Sequence, residues 1–297
     1  QLTDSGDLDN NTAMTIAAGS IFDHRGIDQT IGTLTGAGKV TMGTGDLTHG
    51  NASDNTFNGI ISGSGRLIKQ GTGTTTLGGA NTYGGATVIN VGTLRFSGSG
   101  ELADSGQVNV KSGATVDLND IDQTFGNLTG AGNVVLGSAT VNVGGNDTSS
   151  TLSGTISGTG DLIKSGNGTF TLSGVNTYTG ATKINKGTLQ LTGSGDLENN
   201  TAMTIAAGAV FDHRGIDQTI GSLAGAGNAT LGTGDLTTGN TIDTTFSGVL
   251  SGSGRLIKRG AGTFTLSGIN TYSGNTVVNA GTLQLSGSGD LANTSQV

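Results

Sequence analysis

Thr169-Phe170-Thr171-Leu172-Ser173-Gly174 alternates apolar and polar residues and stops at glycine. Phe170 and Leu172 point one way and the threonines the other, which is the period-two signature of a half-buried strand. Gly187-Thr188-Leu189-Gln190-Leu191 repeats the device nineteen residues later, with Leu189 and Leu191 on the inner side. Working outward, the same short strands recur along the whole chain, separated by Gly-x-Gly or Asn-containing turns, roughly eleven or twelve to each long repeat.

The long repeat is read from ordered marks. Gly-Ser-Gly-(Asp/Glu)-Leu stands at 98–102, 193–197 and 287–291, with Asp-Ser-Gly-Asp-Leu at 4–8, so Leu8, Leu102, Leu197 and Leu291 are spaced by 94, 95 and 94. Asp-Gln-Thr (28–30, 122–124, 217–219), Leu-Ile-Lys (67–69, 162–164, 256–258) and Asn-Thr-Tyr (81–83, 176–178, 270–272) follow in the same order. The chain therefore reads as one β-helical piece of three copies, 6–99, 100–194 and 195–288, plus the opening of a fourth. Residues 10–19 recur unchanged at 199–208 while the second copy differs there, an A-B-A-B order that suggests duplication of a double unit.

Composition agrees. Of 297 residues 57 are Gly, and Pro, Cys and Trp are absent. Gly at this density costs ~1 kcal/mol per helical position, which excludes a helical protein. A collagen repeat would need Pro and strict triplets, and without Cys there is no disulfide or thiolate-zinc framework. A propeller would repeat at ~40–50 residues, not at 94. The remaining solution is an all-β parallel β-helix, whose corners use the glycines and whose stacked turns each need their N–H groups, leaving no place for Pro. Three strands to a turn give about four turns per copy and about a dozen in all. The net charge of −8 and pI near 4.6 argue against nucleic acid and anionic headgroups as partners. No apolar run is long enough to span a bilayer as a helix. The chain begins at Gln1 without a signal peptide and stops in mid-pattern at Val297, as an excised piece of a longer protein would.

The segment 157–191, Ser-Gly-Thr-Gly-Asp-Leu-Ile-Lys-Ser-Gly-Asn-Gly-Thr-Phe-Thr-Leu-Ser-Gly-Val-Asn-Thr-Tyr-Thr-Gly-Ala-Thr-Lys-Ile-Asn-Lys-Gly-Thr-Leu-Gln-Leu, resembles the passenger-associated transport repeat of autotransporters; 62–96 and 251–285 match nearly as well. The resemblance implies a right-handed helix, export across a Gram-negative outer membrane, and display at the cell surface. It also implies attachment to the membrane only through a C-terminal barrel that this sequence lacks. Absence of Cys suits passage of an unfolded chain.

Activity is argued from sites, not from the fold. Asp23-His24-Arg25-Gly26 recurs as Asp212-His213-Arg214-Gly215, and a His beside a carboxylate is the form of an acid–base pair. The second copy has Asp117-Leu118-Asn119-Asp120 at that place, so a solvated corner or a contact patch formed by Asp23, His24, Arg25, Asp212, His213 and Arg214 is the better expectation. The third histidine, His49, becomes Asn142 or Val143 in the second copy and Thr238 in the third, and no nucleophile elbow accompanies it. Asp7, Glu101, Asp196 and Asp290 fall one to a copy, about four turns and ~20 Å apart, too far to act as a glycosidase pair. Gly-x-Gly-Asp recurs with the long period and builds no calcium stack. Gly36-Ala37-Gly38-Lys39 lacks the rest of a phosphate loop.

Lys69, Lys164 and Lys258 recur in every copy and read as fold residues whose stems cover an apolar edge. Tyr83, Tyr178 and Tyr272 read as packing residues, with stacking on sugars as the alternative. No catalytic residue, cofactor or metal ligand is expected. What remains is a surface of Thr, Ser, Asn and Gly. Flat polar ladders suit an adhesin that associates with identical rods or with a host protein or glycan; a passive stalk is the alternative and a carbohydrate-active enzyme the remote one.

Overall fold

The computed structural model describes residues 8–291, and every paired strand in it runs parallel to its neighbour. The residues form 36 short strands and no helix. Alternating sequences such as Thr169–Leu172 have one buried side and one half-buried side, as their period dictates. The chain winds as a β-solenoid of about 14 turns. Its contacts divide it into two units, residues 1–146 with 154–157, and residues 147–153 with 158–297.

In the first unit, eight strands from Ala13–Ile16 to Ile156–Ser157 make one side of the coil. A second side runs from Gln29–Ile31 to Asn127–Gly130. The third begins with Ile21–Asp23, Lys39–Thr41 and Ile60–Ser62 and resumes at Gln123–Phe125 and Val141–Val143. Between these, the third side holds only the isolated bridge of Ala80 with Glu101. Turns inside the transport repeats therefore carry two regular strands, not three, and this is why about 14 turns fit where three strands to a turn predicted a dozen. The second unit has the same three ladders, including the seven-stranded run from Leu162–Lys164 to Thr282–Leu285.

One turn takes 18 to 22 residues: Thr115 lies opposite Asn133, Ala13 opposite Thr33, and Thr93 opposite Thr115. Starting from Gln29, four turns lead through Leu47, Leu67 and Thr87 to Val108, 79 residues on. A copy of 94 residues overshoots that by two of the three sides. Met14 and its counterpart Val108 consequently sit in different sheets, as do Leu162–Lys164 and Leu256–Lys258 in the second unit. The sequence repeat is not a whole number of turns.

The interior is a set of mixed ladders, for example Phe170, Leu189, Phe211, Ala229 and Leu250, all essentially inaccessible. Large and small residues complement one another along the ladder, which fills the interior without overpacking. Gly36, Gly130 and Gly225 mark the same corner in the three copies, with φ of 103°, 112° and 106°. A Cβ there would stand 2.0–2.1 Å from the carbonyl oxygen of the preceding turn (Ile16, Val110 or Ile205). No other residue fits.

The recurring lysines do not lie along the surface; Lys69, Lys164 and Lys258 are each only 1% exposed. Each ammonium donates to three backbone carbonyls, matching its three N–H groups. Lys69 Nζ reaches Gln70 O at 2.8 Å, Gly71 O at 2.7 Å and, one turn on, Val91 O at 3.2 Å. Lys258 repeats the set with Arg259, Gly260 and Ala280 at 2.7, 2.7 and 3.1 Å. Lys164 bonds Ser165, Gly166 and Lys186 in the same way. Burial lowers Lys69 and Lys164 to about 8, which leaves both charged at neutral pH. The stem covers an interior edge, as expected, but the charge is a clamp between two turns.

His49 lies directly above Lys69 in the ladder, and neither of its ring nitrogens has a hydrogen-bond partner. Burial, with the Lys69 charge adding to it, lowers its pKa from 6.5 to about 3. The folded chain thus refuses a proton that the unfolded chain takes up near 6.5.

Three outcomes follow. Val88→Cys with Asn109→Cys, adjacent in register, will oxidise to a disulfide because stacked strands lie ~4.8 Å apart. Val88→Cys with Thr129→Cys, two turns apart, will stay reduced on a non-reducing gel. Lys164→Met, which keeps the stem but strips three carbonyls of their donor, will cost the second unit ~3 kcal/mol in denaturant unfolding. The stability contributed by neutral His49 is complete above its unfolded pKa and is lost on acidification. About 3 kcal/mol should disappear between pH 6.5 and about pH 4.5, and His49→Val should flatten that part of the profile.

Candidate functional site

The corner Asp23–Gly26 joins the strand Ile21–Asp23 to Gln29–Ile31. Asp23 Oδ1 accepts from Arg25 N at 3.0 Å, and Arg25 takes the left-handed conformation, with φ of 53°. Ile27 N donates to His24 O, closing the turn at 2.8 Å. His24 then points inward. It is fully buried, tilted against Phe22 with ring centroids 5.6 Å apart, and Nδ1 lies 2.5 Å from Ile27 O. Residues 212–215 build the same corner in the second unit, with Arg214 at φ 48°, and His213 Nδ1 2.6 Å from Ile216 O.

Burial lowers the pKa of both imidazoles, so the ring is neutral and its Nδ1–H donates to the carbonyl. Nε2 is left buried without a partner. The adjacent carboxylates face the arginines instead: Asp23 with Arg25 at 3.9 Å and Asp212 with Arg214 at 3.8 Å. An acid–base pair is therefore not assembled. Leu118, buried at the same place in the second copy, shows what the position requires: an inward group that fills the corner. Of the six residues expected in a contact patch, His24 and His213 face the interior. Arg25 and Arg214, with side chains 57% and 58% exposed, are the members that present charge to solvent.

The tyrosines are also interior. Tyr83, Tyr178 and Tyr272 are at most 3% exposed, and each hydroxyl lies 2.5 Å from a threonine hydroxyl, that of Thr87, Thr182 or Thr276. Sugar stacking is closed to them. Glu101, Asp196 and Asp290 stand at isolated bridges with Ala80, Val175 and Ile269, and Asp7 lies outside the described residues. A hollow of about 510 Å³ gathers Glu101, Asp120 and Asp122. Two of these already cap backbone: Asp120 Oδ1 accepts from Ser138 N and Oγ, and Asp122 Oδ1 from Thr140 N. Among the described residues no group of three or more His, Asp or Glu is placed to hold a metal ion.

The pairing of the surface charges was not among the expectations read from the sequence. Arg66 grips Asp46 with Nε and Nη2 at 2.9 and 2.5 Å, and Arg255 grips Asp235 identically. Arg255 holds the Asp235 carboxyl below the usual range. Arg95 with Asp117 at 2.8 Å and Lys183 with Asp161 at 3.0 Å complete the pattern. Each of these pairs joins residues about one turn apart, and so lies along the winding axis of its unit. Equal one-turn spacing of opposite charges was the only available signal.

Between the ion pairs the outward positions form polar, mostly uncharged ladders. Thr15 and Thr35 hydroxyls meet at 2.8 Å. In the second unit Thr151, Thr171, Gln190, Asp212, Thr230 and Ser251 follow in register, with Gln190 Nε2 donating to Asp212 Oδ2 at 3.0 Å. Such an exterior presents hydroxyl and amide groups in rows along the turns of each unit.

A family model described as the passenger-associated-transport-repeat matches residues 67–96, 162–191 and 256–285. Each match runs from a buried-lysine strand to the end of the strand closing the copy. The chain is similar to the adhesin BmaC autotransporter of Brucella suis biovar 1 (strain 1330), with 33% identity over 253 residues, 79% of this chain and 7% of that protein. It is also similar to the uncharacterized lipoprotein YdeK of Escherichia coli (strain K12), with 35% identity over 138 residues, 43% of this chain and 10% of that protein. The chain thus spans a tenth or less of the length of these relatives. No solved structure matches. A parallel solenoid, three transport repeats on its lysine-clamped turns and likeness to an autotransporter over most of its length make this chain an autotransporter passenger segment.

Proposed function

We propose that the segment is a non-enzymatic, repetitive adhesive surface, displayed outside the cell and binding through its neutral polar ladders. The observation that carries this is the exterior: threonine, serine, asparagine and glutamine rows whose neighbouring charges are neutralised along the axis. Such rows bind weakly per contact, and in-register repetition raises the total through effective concentration. Burial of His24, His213 and the three tyrosines removes the side chains on which an enzymatic reading would rest. The relative named as an adhesin supports the same direction. Partners of this chemistry are a second passenger, giving cell–cell aggregation and biofilm, or a host-surface protein or glycan.

A spacer role is the second reading, favoured by the small share of its relatives that the chain represents. Display of the segment on a non-aggregating bacterium separates the two. Adhesive ladders predict settling of the cells or retention on a host-cell layer, reduced in a variant lacking residues 100–194. Cells that neither settle nor adhere would leave only the spacer.

A further inference from the structure

All three histidines of the chain, His24, His49 and His213, are turned inward and fully buried. Each leaves ring nitrogen without a partner: Nε2 of His24 and of His213, and both nitrogens of His49. Packing alone does not call for such a ring. At the corner of His24 and His213 the second copy carries Leu118, equally inaccessible, so an apolar side chain closes the same turn.

The charges around the corner change with the ring. Asp23, Asp28 and Asp46 act on His24, Arg25 lies on Asp23, and Arg66 grips Asp46 from the next turn. Asp212, Asp217 and Asp235, with Arg214 and Arg255, repeat the set around His213. In the second copy Leu118 is accompanied by Thr140 in place of Asp46 and by Asp161 in place of Arg66. The backbone does not change. Asp28 Oδ1 accepts from Asp46 N at 2.8 Å, Asp217 Oδ1 from Asp235 N at 2.9 Å, and Asp122 Oδ1 from Thr140 N at 2.7 Å. Ring, carboxylate and guanidinium thus vary together on one scaffold.

A proton placed on Nε2 has no acceptor inside the corner, and Nδ1–H is already given to Ile27 O or Ile216 O. A buried cation without a hydrogen bond is costly, whereas the same imidazolium outside finds water and three carboxylates. We propose that these corners are acid-operated latches: protonation of His24 and His213 opens the turns that carry them, and the matching turn of the second copy, closed by Leu118, stays shut. The neutral ring is what fits. Closure is therefore complete above the ordinary histidine pKa of about 6.5 and is lost progressively below it. His49 adds a second proton to the first copy; it faces the charge of Lys69, which opposes protonation in the closed turn, and the third copy has Thr238 at that place. The first copy thus buries two imidazoles, the third one and the second none. Acid relaxes the surface rows of the A copies and leaves those of the B copy standing, whatever the rows bind.

Hydrogen exchange of the 297-residue chain, followed by mass spectrometry and corrected for intrinsic rates, tests it. Segments 20–31, 209–220 and 115–125 span the three corners and differ in sequence, so their peptides are distinguishable. Between about pH 7.5 and about pH 5.5, protection in 209–220 should fall by up to about tenfold, the limit for one proton taken up on opening. The fall should be larger in 20–31 and absent in 115–125; carboxylates titrate below this window and do not contribute. His213→Leu installs the residue of the second copy and should abolish the loss in 209–220 while 20–31 keeps its own. Circular dichroism checks the fold of that variant, and if it does not fold, the ranking of the three corners in the unaltered chain decides alone. No loss in 209–220, an equal loss in all three segments, or a loss in 209–220 that survives His213→Leu would overturn the inference.

Discussion

Every regular strand in this chain gives its backbone hydrogen bonds to a segment about one turn away. That single constraint organises the rest. A residue that cannot donate, as proline cannot, breaks the ladder; a residue with a Cβ at the Gly36, Gly130 or Gly225 corner collides with the carbonyl of the turn before. Side chains then sort by alternation alone: inward residues fill a narrow interior, and outward ones form rows whose members are dictated by the neighbouring turn and not by neighbours in sequence.

The clamp lysines show how the constraint is met where regular strands give out. In the transport-repeat turns one side has only an isolated bridge, and fewer ladder bonds hold consecutive turns together there. A buried ammonium bonding carbonyls on both turns supplies what the missing strand would have given. It does so at the point where Leu-Ile-Lys opens each matched repeat. The same desolvation that makes an unpaired charge costly makes this one specific, since only a group with three donors satisfies the cage.

Strand alternation and the parallel coil were legible from residues such as Phe170 and Leu172. The inside of the corners was not. His24 and Lys69 are polar letters, and nothing local distinguishes an exposed polar residue from one turned inward by a left-handed arginine or held by three carbonyls. Leu118 was the available clue: an apolar residue in one copy marks an interior position in the others. About a dozen turns became about 14 because some turns carry two regular strands, their third side pairing only at an isolated bridge such as Ala80 with Glu101. The ion pairs Arg66–Asp46 and Arg255–Asp235 depend on register, which only the winding supplies.

Because a copy overruns four turns by two sides, equivalent residues never stack above one another in adjacent copies. The near-identical A copies are natural partners for unequal recombination, and the joints between copies share one geometry, so gain or loss of an A-B double unit would leave every ladder intact. Such an event would nonetheless swing everything beyond it by a third of a revolution. A lineage could thus re-aim a distant surface without altering one residue of it, and length variation in such a gene would be variation in azimuth as well as in reach.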